Sequence, residues 1–366
     1  MSTLKKIVVS DFRNITLQEL EFSPNINCIC GGNGQGKTNL LDAIWYLSMT
    51  KSALSPIEKF NFRRGTQAFA LCGTYSLPDG RSTIISIQTS ASGEKKLRRD
   101  DKPYPKISDH IGLFPIVIVS PSDTSMVSDG GEERRRFVNS VLSQTNREYL
   151  CSLQNYNRLL LGRNRLLKEG GADQGLLDIM DERMSALAGP VFEERRSFTE
   201  RLLPLVRDYY SAISGDGESI DIKYSSDLEN GASLLALLRS RRDRDSAIGY
   251  TTAGLQRDDF DFEIDGFPLR KCGSQGQQKS FLVALKFAQY AIMKERCGQS
   301  PILLLDDLFD KLDMDRVGNL LKMVSGSDFG QIFLSDSNKV RTQAIIDSFT
   351  SDRAYFEARD GSFSRL

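Results

Sequence analysis

The residues with the clearest chemistry form one short run, Gly31-Gly32-Asn33-Gly34-Gln35-Gly36-Lys37-Thr38. Gly31, Gly36, Lys37 and Thr38 fit the G-x-x-x-x-G-K-[ST] spacing of a phosphate-binding loop. Glycines admit positive φ and let backbone N–H groups turn inward. The helix expected to start after the loop adds partial positive charge at its amino end, which favours phosphate there. In this pattern Lys37 reaches the β and γ phosphates of a bound nucleotide, and the Thr38 hydroxyl holds Mg²⁺.

A second constellation lies near the other end of the chain. Ile302 to Leu305 are apolar and run into Asp306-Asp307. Such a strand is buried on both faces, and its carboxyl end lies where α/β folds bind ligands. Paired with a phosphate loop it has the form of a Walker B strand: Asp306 is expected to hold Mg²⁺ through water, and Asp307 to polarise an attacking water. Lys37 and Asp306 are 269 positions apart, so something large is inserted between the halves of one site. Upstream, Ser274-Gln275-Gly276-Gln277 opens a long helical pattern. Ser274 is an ordinary N-cap. A glycine in the first turn costs helix stability; it permits close approach of an outside phosphate, which a second copy of the chain would supply.

These residues need elements to hold them. Strands are expected at 3–10, 17–22, 26–30, 68–76, 82–89 and 115–120, with one helix after the phosphate loop carrying Leu40, Leu41, Ile44 and Leu47 on one face. From 132 to 168 apolar residues recur at spacings of three and four, which predicts a helix. A second helical stretch spans 174–210, interrupted at Gly189-Pro190 and Pro204. β character returns at 220–224 and in a hairpin turning at Asp265-Gly266. A helix over 275–295 and buried strands at 302–305 and 331–336 follow. The fold class is α/β, a P-loop ATPase head with a β-rich N-terminal region and an inserted helical lobe, without a long coiled coil. Residues 1–120 and 245–366 are assigned to the ATPase lobe and 121–244 to the insertion.

Composition narrows the function. With 366 residues and 40% hydrophobic content the chain builds a real core. No apolar run approaches the roughly 18 residues of a membrane span, and the first residues lack a secretory apolar region, so a cytoplasmic protein is expected. Cysteines at 28, 30, 72, 151, 272 and 297 contain no zinc-type C-x-x-C pair and read as reduced, buried residues. A single histidine, His110, excludes His-rich metal sites; it reads as a surface or turn residue. Acidic and basic side chains balance at 48 each, so whole-molecule attraction to nucleic acid is not implied. Basic clusters occur at Lys95, Lys96, Arg98 and Arg99, at Arg134, Arg135 and Arg136, and at Arg239, Arg241, Arg242 and Arg244; the second is favoured for contact with DNA phosphates.

Phosphate loop, long insertion, S-x-G-Q signature and Walker B follow the order of ABC-type ATPases. Within that class the chain resembles the RecF family of bacterial recombination mediators. The resemblance rests on DFRN at 11–14, GGNGQGKTNLLDAI at 31–44, SPSD at 120–123, ERRRFVN at 133–139, GLQRDDFDFEIDG at 254–266, GSQGQQKSFLVALKFAQ at 273–289 and LLLDDLFDKLD at 303–313. It implies ATP and Mg²⁺ as cofactors, ATP-dependent homodimerisation, DNA binding at gapped duplexes, slow DNA-stimulated ATP hydrolysis in DNA repair and replication, and action with RecO and RecR. It assigns Gly31 to Thr38 to nucleotide binding, Asp306 and Asp307 to Walker B, Ser274, Gln275, Gly276 and Gln277 to a signature acting in trans, and Leu312-Asp313 to a D-loop. Arg257 and Asp258 fall in a segment that is interdomain or phosphate-proximal. Ser122 and Asp42 stand where the family usually has glutamate, KSAL at 51–54 lacks the family's arginine, and Asp336 replaces the switch histidine of many ABC ATPases. The alternatives are a transporter's nucleotide-binding subunit and a P-loop kinase of small molecules.

Overall fold

The computed structural model describes residues 1–169, 173–215, 217–307, 329–347 and 350–366. Fifteen strands are present among them: β1 Thr3–Phe12, β2 Ile15–Glu21, β3 Ile26–Cys30, β4 Ala68–Ser76, β5 Ser82–Ser90, β6 Lys95–Arg99, β7 Lys102–Pro103, β8 Ile116–Val119, β9 Ile220–Ser225, β10 Asp259–Ile264, β11 Phe267–Pro268, β12 Ile302–Asp306, β13 Ile332–Asp336, β14 Arg353–Arg359 and β15 Ser362–Arg365. The helices are α1 Lys37–Met49, α2 Ser125–Ser128, α3 Gly131–Thr145, α4 Arg147–Glu169, α5 Gln174–Ser214, α6 Leu234–Ser240, α7 Arg242–Ile248, α8 Leu269–Cys272, α9 Gln275–Cys297 and α10 Lys339–Asp347.

The chain divides into two units. The first comprises Met1–Asp123, Ala212–Ser214 and Lys286–Leu366. It holds two six-stranded sheets, an antiparallel one ordered β2-β1-β4-β5-β6-β7 and a second ordered β15-β14-β3-β13-β12-β8. In the second sheet β14, β3, β13, β12 and β8 are mutually parallel and only β15 runs antiparallel. β3, β8, β12 and β13 are buried at every position, as the unbroken apolar runs predict. Helix α1 touches β1, β4 and β5 of one sheet and β8, β12 and β13 of the other. Its expected single apolar face is therefore too modest, because Asp42, Ala43, Trp45 and Tyr46 are buried as well.

The second unit comprises Thr124–Ser211 and Gly215–Leu285 and carries the small sheet β11-β10-β9. The lobe boundary expected at 244/245 therefore falls at 285/286. The reason is pairing across the helices: β10 runs antiparallel to β9 from Asp259↔Ser225 to Ile264↔Ile220, which keeps 245–285 with the insertion. The first boundary, at Asp123/Thr124, ends the SPSD segment. Asp123 accepts from the Ser120 N–H at 2.7 Å and pairs with Lys286 at 2.7 Å. One ion pair thus joins the residue where the chain first leaves the first unit to the one where it last returns.

Two helical expectations are corrected. The stretch 132–168 is two helices, because Asn146 takes extended backbone and its side chain caps α4 by accepting from the Tyr149 N–H at 3.0 Å. Conversely, α5 runs unbroken through Pro190 and Pro204. Each proline removes a helical hydrogen bond, but Leu177, Met184, Ala188, Val191, Phe198, Leu202, Val206 and Tyr210 form one buried stripe in phase across both. Packing of that stripe outweighs the local breakers.

His110 is also corrected: it is fully buried. Its Nε2 donates to the Leu47 carbonyl at 2.7 Å, which leaves Nδ1 to accept from the Tyr104 hydroxyl at 3.1 Å. Burial lowers its pKa to about 4. The cysteines are free, as expected, but only Cys28 and Cys30 are buried; Cys151 and Cys272 are exposed.

Candidate nucleotide-binding site

The parallel sheet closes the sequence gap. β3 pairs β13 and β13 pairs β12, so Cys30, Asp336 and Asp306 end three adjacent strands at one edge. The phosphate loop leaves β3 there and the Walker B acids end β12. The Thr38 hydroxyl donates to Asp306 Oδ1 at 3.0 Å across 268 positions of sequence.

The loop's shape is fixed by what surrounds its glycines. A Cβ on Gly31 would lie 2.6 Å from the Ala358 carbonyl oxygen of β14. Gly34 and Gly36 have φ of +79° and +103°, and a Cβ on Gly36 would meet the Asn14 amide at 2.8 Å. Asn14, from the DFRN segment, also accepts from Asn39 Nδ2 at 2.7 Å. Gln35 is gripped by the turn between β14 and β15: its side-chain oxygen accepts from the Asp360 N–H at 2.7 Å and its carbonyl from the Gly361 N–H at 3.0 Å. Gly32, Asn33 and Gly34 stay exposed. The buried Lys37 ammonium lies across the loop, donating to the Gly31 and Gly32 carbonyls at 2.8 and 3.1 Å.

Burial lifts the Asp306 carboxyl above the usual aspartate range, and bonds from Ser335 and Thr38 draw it back. Ser335 Oγ donates to Asp306 Oδ1 at 2.5 Å and accepts from the Asp307 N–H at 3.0 Å. Asp307 takes positive φ of 42°, a conformation few non-glycine residues adopt and one that clusters at functional sites. The site therefore carries a hydroxyl and a carboxylate 3.0 Å apart, both hard oxygen donors. That set suits Mg²⁺, which keeps several waters and takes few protein ligands; the glycine-lined loop with its buried lysine suits a polyphosphate.

The positions where the chain departs from the family pattern have local partners. Asp42 is buried; its Oδ2 accepts from Ser52 Oγ at 2.7 Å and pairs with the Arg13 guanidinium at 2.9 Å, and its Oδ1 accepts from the Ala53 N–H. Arg13 also reaches Ser52 and Asn61. Asp336 turns its Oδ1 onto the Asn338 N–H at 2.9 Å, while its carbonyl accepts from the Gly31 N–H at 3.3 Å.

In the second unit Ser274 and Gln277 make a reciprocal capping box: the Ser274 N–H donates to Gln277 Oε1 at 2.6 Å and the Gln277 N–H to Ser274 Oγ at 3.2 Å. Gln277 also donates to Glu218 at 2.6 Å. Ser274 and Gln275 are exposed and Gly276 half-buried. Asp258 is buried, joined to Arg195 and to the Tyr224 hydroxyl, whereas Arg257 is exposed. Leu312 and Asp313 lie outside the described residues. The basic run is largely engaged. Arg134 makes a two-point contact with Asp259 at 2.8 and 2.9 Å, Arg135 donates to the Asp258 carbonyl, and Arg136 pairs with Glu132 and Glu133. Only Arg136 of the three is exposed.

Sequence reasoning missed Ser335, Asn14 and the Asp360-Gly361 turn. Ser335 had a weak signal, a lone hydroxyl in a buried apolar strand. Asn14 lies in the quoted DFRN segment, but nothing there pointed to its place under the loop; the turn had no signal, because its role exists only once β14 lies beside β3.

The family model described as the RecF/RecN/SMC N terminal domain matches residues 3–350. The DNA replication and repair protein RecF of Bacteroides fragilis (strain YCH46) is 40% identical over 364 residues, covering 99% of this chain and 98% of that protein. The chain belongs to the RecF family. A RecF of Flavobacterium johnsoniae is 41% identical, covering 94% of this chain and 97% of its own. A solved structure of the recombination mediator protein RecF with ATP, from the RecFOR pathway, superposes with a TM-score of 0.89 at 29% identity, covering 100% of this chain and 98% of that one. The Smc head domain of Pyrococcus furiosus shares the fold at a TM-score of 0.60 and 14% identity. Membership in the RecF family makes the chain an ABC-type ATPase and sets aside the transporter-subunit and small-molecule-kinase alternatives. Among the described residues no helix is long and apolar enough to cross a membrane.

Proposed function

We propose that this chain is an ATP-dependent DNA-binding protein of recombinational repair. It dimerises on binding ATP, hydrolyses it slowly, and acts at gapped DNA in the cytoplasm together with RecO and RecR. The observation that carries the ATPase part is the closure of Thr38 onto Asp306, which makes one site from segments 268 positions apart. The DNA-repair part rests on the relatives, named as DNA replication and repair proteins and aligned over nearly their whole length.

Each residue has a task. Lys37 exchanges the Gly31 and Gly32 carbonyls for phosphate oxygens, and backbone N–H groups of Gly34 to Thr38 face the phosphates. Thr38 and Asp306 would hold Mg²⁺, directly and through water; the ion, when bound, supplies charge neutralisation to the β and γ phosphates. Asp307 orients a water in line and accepts its proton. Aspartate is a methylene shorter than the glutamate common here in ABC ATPases, and no histidine stands at Asp336, so turnover is slow. The exposed Ser274 and the half-buried Gly276, at the amino end of α9, receive the γ-phosphate held by a second copy. DNA is bound through its backbone, so the interaction is salt-sensitive and largely sequence-independent. Arg136 is the member of its cluster that reaches phosphate, giving up Glu132 and Glu133; Arg134 and Arg135 hold the local fold.

The test is ATP binding and gapped-DNA binding by Lys37→Met. The variant gives up the two lysine bonds to the loop, but Asn14, Ala358 and the Asp360-Gly361 turn still set the loop's backbone, so it keeps its fold and loses ATP-dependent DNA binding. A variant that binds DNA with the wild-type response to ATP contradicts the proposal.

A further inference from the structure

β3 carries two thiols on one face. Cys28 and Cys30 are alternate residues of a strand and so point the same way, while Ile29 between them faces the main core. Their sulfurs are 3.4 Å apart and buried. Cys30 is the last residue of β3 and Gly31 the first of the phosphate loop. The site derived above uses neither thiol.

We propose that Cys28 and Cys30 form a reversible intrastrand disulfide that switches off the phosphate loop. The oxidant class is a hydroperoxide. Cys30 ends β3 next to the loop and is the attacking sulfur; the Cys28 S–H donating to it, with Lys339 and Lys37 nearby, draws its thiol below the ordinary range against burial and Asp336. Its thiolate forms an S–O bond as the peroxide O–O bond breaks, giving a sulfenic acid and an alcohol or water. The Cys28 sulfur then displaces the hydroxyl, which leaves as water with the Cys28 proton. Two thiols are oxidised and one peroxide is reduced.

The product strains the strand. A disulfide needs sulfurs about 2.05 Å apart and prefers Cα atoms within about 6.8 Å. Alternate residues of an extended strand lie about 6.6 Å apart, at the upper end of that range. Closing the bond therefore shortens and buckles the end of β3. Gly31 has no room to follow, since the Ala358 carbonyl already occupies the space a Cβ would take. The displacement passes into the loop that presents Lys37. Strained disulfides are readily reduced by thiols, so the switch resets.

The effect on nucleotide rests on the phosphate-loop reading; formation of the bond does not. The test treats the full chain, with Cys151→Ser and Cys272→Ser to remove the exposed thiols, with hydrogen peroxide, blocks remaining thiols, and maps peptides by mass spectrometry. The expected peptide containing Cys28 and Cys30 is short of two hydrogens and unblocked, and forms more slowly with ATP present. ATP binding falls by roughly tenfold or more and returns with dithiothreitol. In that background Cys28→Val forms no cross-link and keeps ATP affinity after peroxide treatment without dithiothreitol. A peptide that stays reduced, or passes to sulfinic acid without the cross-link, overturns the proposal. So does a cross-linked chain with unchanged ATP affinity. Reduced protein that fails to bind ATP at all would instead overturn the phosphate-loop reading.

Discussion

Ser335 Oγ stands 2.5 Å from Asp306 Oδ1 and 3.0 Å from the Asp307 backbone nitrogen, so one hydroxyl on β13 serves both acids at the end of β12. It donates to the carboxylate that would hold the metal, and accepts from the residue whose backbone is turned to positive φ. Ser335→Ala removes both bonds without changing the strand's apolar packing. Losing a hydrogen bond to the part-buried Asp307 N–H costs about 1 kcal/mol. Asp306 loses a bond that favours its charged form, so its pKa rises further. The expected outcome is weaker Mg²⁺-dependent ATP binding, with a larger loss at acid pH than at neutral pH. Isothermal titration at two pH values checks this; equal affinities in variant and wild type would contradict it.

Asp307→Asn separates binding from hydrolysis. Asp306 and Thr38 are untouched, so ATP binding survives, but asparagine cannot accept a proton as a carboxylate does. The variant is expected to form the ATP dimer on DNA and stay closed. Dimer lifetime after an ATP chase is the readout. Hydrolysis and DNA release at the wild-type rate would show that Asp307 does not activate the water.

His110 sets an acid limit on the first unit. Its neutral ring fits its site: Nε2–H donates to Leu47 and Nδ1 accepts from Tyr104. Protonation would turn Nδ1 into a donor facing the hydroxyl and place a charge in the core. With a pKa of about 4 in the fold and about 6.5 unfolded, the unfolded chain takes up the proton first as pH falls. His110 therefore leaves stability unaffected above about pH 6.5 and erodes it down to about pH 4, by roughly 3 kcal/mol in full. His110→Gln, which carries the same donor and acceptor without a titrating ring, is expected to flatten the melting-temperature profile between those values. A variant whose profile keeps the wild-type slope would contradict this.

The two halves of the nucleotide site were legible in the sequence because their chemistry is local. Glycines, lysine and threonine at fixed spacing mark the loop, and an apolar run ending in two aspartates marks β12. What the sequence did not carry was pairing at long range. The return of 245–285 to the inserted unit depends on β10 meeting β9, and no single segment records that. The prolines of α5 misled for the same reason: they act locally, whereas the buried stripe from Leu177 to Tyr210 acts through packing. The lone His110, read as surface by residue type, is buried because two neutral partners satisfy both ring nitrogens. Arg134, favoured from the sequence for DNA phosphates, is paired with Asp259 across 125 positions, a contact that the local charge run does not carry.

The central claim is that Lys37 of one copy and Ser274 of another complete a single ATP site. The direct measurement is sedimentation velocity of Ser274→Arg, Lys37→Met and their mixture, with ATP and gapped DNA. Ser274→Arg is expected to bind ATP as a monomer, because its phosphate loop is intact, yet remain monomeric. Lys37→Met is expected to bind no ATP and also remain monomeric. The mixture, in which Lys37 of one chain can meet Ser274 of the other, should show a weak heterodimer with one composite site. Dimerisation of Ser274→Arg alone at wild-type ATP concentrations, or equal loss of ATP binding in both single variants, would contradict the claim.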